Sequence, residues 1–294
     1  MPNPHLEVTA RIVVELEAGT PPWIQPWSRT PGANIPCNAV TGRAYSGVNR
    51  LLLWTTRAKG WLTPRFLTFK QAQAAGGHVR KGEHGCHVVF VKDLPVKDSD
   101  NEEEEKRYVR MPPKYFVVFN VAQIDGLPDR IAKPLLPKPR HFDGRDPFVE
   151  EFLTTTGAKI HEGGADCVYW GGTTDRIDVP PFVSFDSAAA YYASLFHELA
   201  HWTGAKHRLA RDLAGRFRTE QQKAAEELIA ELTSAFLCAE FSIDGYSGHT
   251  GYIAHWIELL KSDPKAIFTC ANRAQAAVDY LRELALRAPA QAAE

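Results

Sequence analysis

The chain has 294 residues, enough for two domains that each bury a core, with the 44% apolar and 23% charged residues of a globular protein. No apolar run approaches the roughly 18 residues of a membrane-spanning helix, and the N-terminus lacks a basic region followed by an apolar core, so a cytoplasmic protein without a membrane partner is expected. The net charge of −1 hides an asymmetry: residues 1–140 carry 20 Lys and Arg against 13 Asp and Glu, and residues 141–294 carry 14 against 22.

Leu6, Ile12, Val13 and Leu16 predict an amphipathic first helix, followed by a Pro-rich loop with Trp23 and Trp27. Ser46–Gly60 fits a second helix, and Thr68 with Gln71 has capping-box spacing ahead of Gly76 and Gly77. The Gly-punctuated run from His78 to Gly85 leads into a strand at 87–92, and a second strand is expected from Tyr115. Between them lies the acidic run Asp98–Glu105, which holds six of the front half's acids and reads as a solvated loop. The result is an α+β module over 1–132.

Four prolines and Gly144 mark a linker at 133–147. Beyond it, 148–294 is expected to be mainly helical. A strand-like stretch covers 169–180, and helices are predicted near 187–202, 219–241, 252–260 and 265–287. Five scattered cysteines, never spaced C-x-x-C, argue against a disulfide framework or zinc finger.

The first of these four helices, 187–202, carries His-Glu-x-x-His. His197 and His201 are four residues apart and share a helix face, so both imidazoles can bind one metal ion. Glu198 is placed to take a proton from a water whose pKa the metal lowers. A third ligand is sought on helix 219–241, where Glu227 and Glu231 share a face and Glu226 is rotated away. Glu227 is the expected ligand and Glu231 the carboxylate that orients a ligand histidine, or the alternative ligand. One divalent ion is expected, Zn²⁺ first, with Mn²⁺ or Co²⁺ accepted by the same donors. His207 fits a surface position better than a ligand, and Tyr246, His249, Tyr252 and His255 are candidates for holding an oxyanion. Strand 169–179 could pair with an extended peptide.

The front half interleaves aromatic with basic and polar residues, a composition suited to single-stranded nucleic acid. Its candidate contacts are Trp23, Trp27, Arg43, Tyr45, Asn49, Arg50, Arg57, Arg80 and Lys81. The motifs PPWIQPW, TGRAYSGVN, LTFKQAQAAGG, VRKGEHG and FNVAQIDGLP, then DRIDVP, FHELAHWTG with HRLAR, EELIAEL and YIAHWIELL, run through nearly the whole chain. In this order they resemble the ArdC-type plasmid antirestriction family. The resemblance implies an N-terminal single-stranded-DNA-binding domain, a C-terminal zincin-like metallopeptidase domain, and protection of incoming plasmid DNA from host restriction during conjugation. Double-stranded DNA, a protein substrate and the host restriction system are further candidate partners. The alternative is a DNA-dependent metalloprotease that cleaves DNA-bound proteins. An acidic DNA mimic is disfavoured, because 35 acids face 34 bases.

Overall fold

The computed structural model describes residues 4–23, 35–61, 63–90, 93–95, 108–110, 114–133, 144–211, 219–243 and 250–291. Two compact units interleave along the chain: one comprises 36–45 and 56–134, the other 1–35, 46–55 and 135–294. The α+β, two-domain class therefore holds, but the units do not follow the linear split expected at 133–147. Residues 134–143 of that linker, and the acidic run 98–105, lie outside the described residues.

The smaller unit is built on a four-stranded sheet ordered β1-β2-β7-β4, with β1 Cys37–Asn38, β2 Arg65–Thr68, β4 Cys86–Phe90 and β7 Lys114–Asn120. β2 and β4 both run antiparallel to β7, with Leu67 opposite Phe119 and His87 opposite Val117. The helix α3, Phe69–Ala74, begins directly after β2. Thr68 accepts from Gln71 N while the Gln71 side chain accepts from Thr68 N, as the capping-box spacing predicts. The pairs β3 His78–Val79 with β8 Ile124–Asp125, and β5 Asp93–Pro95 with β6 Tyr108–Arg110, complete the strands. A short α4, Asp129–Ala132, packs Ile131 into a core shared with Leu67, Ala72 and Ile124.

The larger unit is mostly helical. α1, Pro4–Glu17, buries Val8, Ile12, Val13 and Leu16 and leaves Leu6 exposed. It packs on α8, Ile253–Ser262, and Thr9 Oγ1 donates to Pro264 O. The predicted helix 46–60 resolves into α2, Val48–Trp54, and a 3-10 turn at Thr55–Lys59. Every residue of α2 is buried, with Trp54 against Phe236. The remaining elements are α5 Pro147–Thr156, β9 Lys159–Glu162, β10 Val168–Trp170, β11 Arg176–Val179, α6 Ala188–Thr203, α7 Glu220–Phe241 and α9 Ala266–Gln291. α7 is the central helix, in contact with α6, α8 and α9. The small sheet is ordered β10-β11-β9, so β10 is an edge strand. Among the described residues no helix is long and apolar enough to cross a membrane.

Candidate metal centre

Two helices set the centre. α6 starts where the Ser187 hydroxyl accepts from Ala190 N. It is driven inward by Tyr191, Tyr192, Leu195, Phe196 and Leu199, all 2% exposed or less. His197 and His201 therefore lie in the interior, at 5% and 3% exposure, where only paired polar groups are tolerated. α7 is capped by Thr219, which accepts from Gln222 N. It supplies the partners.

Glu227 Oε2 lies 3.4 Å from His197 Nε2 and 3.7 Å from His201 Nε2. One donor atom from each of the three lies within 4.8 Å of the others, a spacing that one ion can span. Two imidazoles and one carboxylate would hold a divalent ion through three donors, fewer than the four of a closed structural zinc site. Behind the trio, Glu231 Oε2 lies 3.6 Å from His197 Nδ1 and Glu226 Oε1 lies 3.2 Å from His201 Nδ1. Arg211 grips Glu226 through two hydrogen bonds of 3.2 and 3.0 Å, and donates also to Thr203 Oγ1 and Ala200 O. Each ring thus has a carboxylate ahead of it and another behind it, which fixes its tautomer and orientation.

The electrostatics follow from this crowding. Burial opposes charge on both imidazoles, but Glu227 and Glu231 outweigh it and lift His197 to about 10. Glu226 and Glu227 likewise raise His201. Burial opposes ionisation of Glu227, yet the two imidazoles hold it well below the usual carboxylate range. Without an ion, protons neutralise the cluster, and a divalent cation must displace them.

Glu198 lies on the side of α6 that meets the small sheet, where its Oε2 accepts from Tyr169 N at 2.7 Å. β10 is held there by Arg208. This guanidinium lies 3.8 Å over the Trp202 ring, donates to Tyr169 Oη at 3.1 Å, and binds Asp175, which adopts φ +41° in the turn before β11. Asp175 is drawn down to about 2, chiefly by its hydrogen bond from Arg208. Arg208 and Arg211 are the two arginines of the HRLAR motif, so one stretch secures both the edge strand and His201. His207 is exposed and 3.6 Å from Asp175, on the surface as expected. Tyr252 stacks on Trp256 and His255 packs beside Tyr252, while Tyr246 and His249 lie outside the described residues.

The candidate DNA contacts divide sharply. Trp23 is buried against Trp256, Tyr45 against Phe66, and Asn49 is buried in α2. Arg50 is 2% exposed, 4.6 Å over the Phe236 ring and 3.4 Å from Glu240. These four are packing residues, a correction to their sequence-based reading: their large or polar side chains complete an interior instead of facing solvent. Arg43, Arg80 and Lys81 are exposed; Trp27 and the Arg57 side chain lie outside the described residues. Arg80 donates to Asp125, Glu83 and Ala122 O. Two residues were missed by sequence reasoning. Helix periodicity turns Glu226 away from the face of Glu227 and Glu231 and assigns Arg211 nothing; the signal the sequence does carry is the second arginine of HRLAR, ahead of the adjacent acids Glu226 and Glu227.

Residues 147–273 match the model of a zincin-like metallopeptidase, and residues 3–119 that of the N-terminal domain of anti-restriction factor ArdC. The chain is 39% identical over 282 residues to the uncharacterized protein y4eC of Sinorhizobium fredii (strain NBRC 101917 / NGR234), covering 93% of this chain and 90% of that one. It is 38% identical to a DNA primase TraC of Escherichia coli, where 94% of this chain spans only 27% of the relative. The metal-free crystal structure of the antirestriction ArdC protein from plasmid R388 superposes with a TM-score of 0.79 at 38% identity, covering 96% of this chain and 98% of that one. Its Mn(II)-bound structure gives 0.77 at 36% identity, with the same coverage.

Proposed function

The chain belongs to the ArdC family of antirestriction proteins, and from that premise we propose that it binds single-stranded DNA in the cytoplasm and protects incoming plasmid DNA from host restriction during conjugation. The observation that carries the metallopeptidase-like half is the trio His197, His201 and Glu227, backed by Glu231 and Glu226. These three residues would hold one divalent ion. The donor set suits Zn²⁺ and also takes Mn²⁺ or Co²⁺.

When bound, such an ion lowers the pKa of a water and polarises a carbonyl. The chain's own residues do the rest. Tyr169 N–H holds Oε2 of Glu198, which leaves Oε1 as the atom to accept a proton and later return it to a leaving group. Arg208 keeps β10 at that distance through Tyr169 and Asp175. Burial of the trio excludes bulk water from both rings.

A second reading is that of a DNA-dependent metalloprotease acting on DNA-bound proteins. It is favoured by β10, an edge strand beside Glu198 on which an extended peptide can add as a further strand. One experiment addresses both. Conjugation into restricting and non-restricting recipients is compared for wild type, Glu198→Gln and Glu227→Ala. Protection by wild type only in the restricting strain is expected, and equal transfer with or without the protein would sink the antirestriction reading. Loss of protection in Glu198→Gln, with metal retained, favours the protease; full protection makes the chemistry dispensable.

A further inference from the structure

We propose that single-stranded DNA crosses the smaller unit over the surface formed by Phe69 at the start of α3 with Val117 and Phe119 of β7, with its phosphates drawn to Lys70 and Lys81; this rests on the single-stranded-DNA reading above and assigns its surface. The first observation is exposure. Phe69 is 49% and Val117 39% exposed, and the Phe69 ring meets that of Phe119 edge to face at 6.5 Å. Phe119 is partly buried against the Leu67 and Ala72 core and props the Phe69 ring from below, so the half-bare ring of Phe69 is an available platform for a base, which stacks on any flat ring without regard to sequence.

The second observation is the loop beside it. Gly85 lies so close to β7 that a Cβ there would come 2.4 Å from Val117 Cγ1 and 3.2 Å from Phe119 Cε1. Loop and aromatic face are therefore one continuous surface. The loop is also preset: Arg80 binds Asp125, Glu83 and Ala122 O, and Gln123 Nε2 donates to Glu83 and to His84 O. Those contacts neutralise Glu83 and Asp125. Lys81 stays exposed at the tip, next to Gly82 at φ +85°, and Lys70 is exposed beside Phe69.

Charge chooses the occupant. Residues 36–45 and 56–134 hold 15 Lys and Arg against ten Asp and Glu, six of the acids lying in 98–105. An apolar platform rimmed by lysines with their local acids already paired suits a polyanion with flat bases rather than a second copy of the chain. Phe90 and Phe116, also exposed, form a separate pair at 5.4 Å. Alternation along β7 puts Phe116 on the opposite face from Val117 and Phe119. They provide the control.

The test is anisotropy of a labelled oligothymidine titrated with the full-length protein across a salt series. Phe69→Ala is expected to weaken binding roughly tenfold, the loss typical of one stacked base. Lys70→Glu with Lys81→Glu should weaken it similarly and flatten the salt dependence, while Phe116→Ala stays within about twofold of wild type. Wild-type affinity in both Phe69→Ala and the lysine double variant, or a loss confined to Phe116→Ala, overturns this assignment and leaves the DNA-binding reading intact. Absence of binding by wild type removes that reading itself. A change of sedimentation mass in Phe69→Ala makes the patch a self-association surface and also overturns the assignment.

Discussion

At the residue scale, the centre depends on the divergence of two rings. The imidazoles of His197 and His201 are 5.0 Å apart and inclined at 77°, so their outer nitrogens point to different places on α7. One needs Glu231 and the other Glu226. Glu226→Gln keeps the shape but removes the charge on which both His201 and Arg211 rely. Metal affinity, measured by competition with a chromophoric chelator, is expected to fall about ten- to a hundredfold, as for other outer-shell carboxylates. His197→Ala should abolish binding in the same assay.

The proton balance gives a second expectation. His197 and His201 are raised without metal, so an incoming cation displaces protons. Affinity should climb as pH rises from 6 toward 10, and calorimetry in buffers of different ionisation enthalpy should record proton release. The sign for folding is opposite. A raised His stabilises the metal-free fold fully below its unfolded value near 6.5, and that contribution is lost as pH rises through about 10. The depressed Glu227 contributes above its unfolded value and loses that contribution as pH falls below it. Metal-free protein should therefore melt lower at both extremes, and added metal should restore the alkaline side.

The i, i+4 spacings made His197, His201, Glu227 and Glu231 legible in advance, because helix geometry alone puts such pairs on one face. Glu226 was not legible. Its neighbour Glu227 and the facing ring make it useful only once the angle between the two imidazoles is known. The distinction is between contacts within one helix, which a periodicity carries, and contacts between two, which it does not.

At the scale of elements, α2 shows how composition misleads. Its Asn49 and Arg50, next to a basic stretch, point by composition to a nucleic-acid face. In the fold it is surrounded on all sides, with Arg50 sandwiched between Phe236 and Glu240, itself held by Arg282 at 2.8 Å. Burial pushes Arg50 down and Glu240 up, so the pair persists only because each supplies the other's counter-charge. Arg50→Ala is expected to destabilise the protein by about 2–4 kcal/mol in a denaturant melt, since it strips a partner from a buried carboxylate. Affinity for oligonucleotide, corrected for the folded fraction, should not change. The short elements β1, β3 and β8 were equally hidden, because two residues are too few to show an alternation. The longer α1, α6, α7, α8 and α9 were readable from periodicity and caps.

At the scale of the whole molecule, the helical unit is assembled from three separate pieces of chain. α1 closes over α8, and α2 fills the space against Phe236 and α9. Residues 133–294 expressed alone would leave Phe236 and Trp256 without Trp54 and Trp23. Such a fragment is expected to melt well below the full chain, bind a hydrophobic dye and hold metal weakly. Co-expression with residues 1–132 should recover a cooperative melt; an isolated fragment as stable as the full chain would contradict this account.

That interleaving bears on how the gene can be moved by recombination. A crossover in the linker, which looks like a natural seam between two family segments, would separate α2 and Arg50 from Glu240 and leave both products defective. A graft that keeps the helical unit whole must therefore carry α1 and α2 together with residues 135–294. In one DNA primase TraC of Escherichia coli, 94% of this chain is matched within 27% of the relative's length, so there both halves travel together.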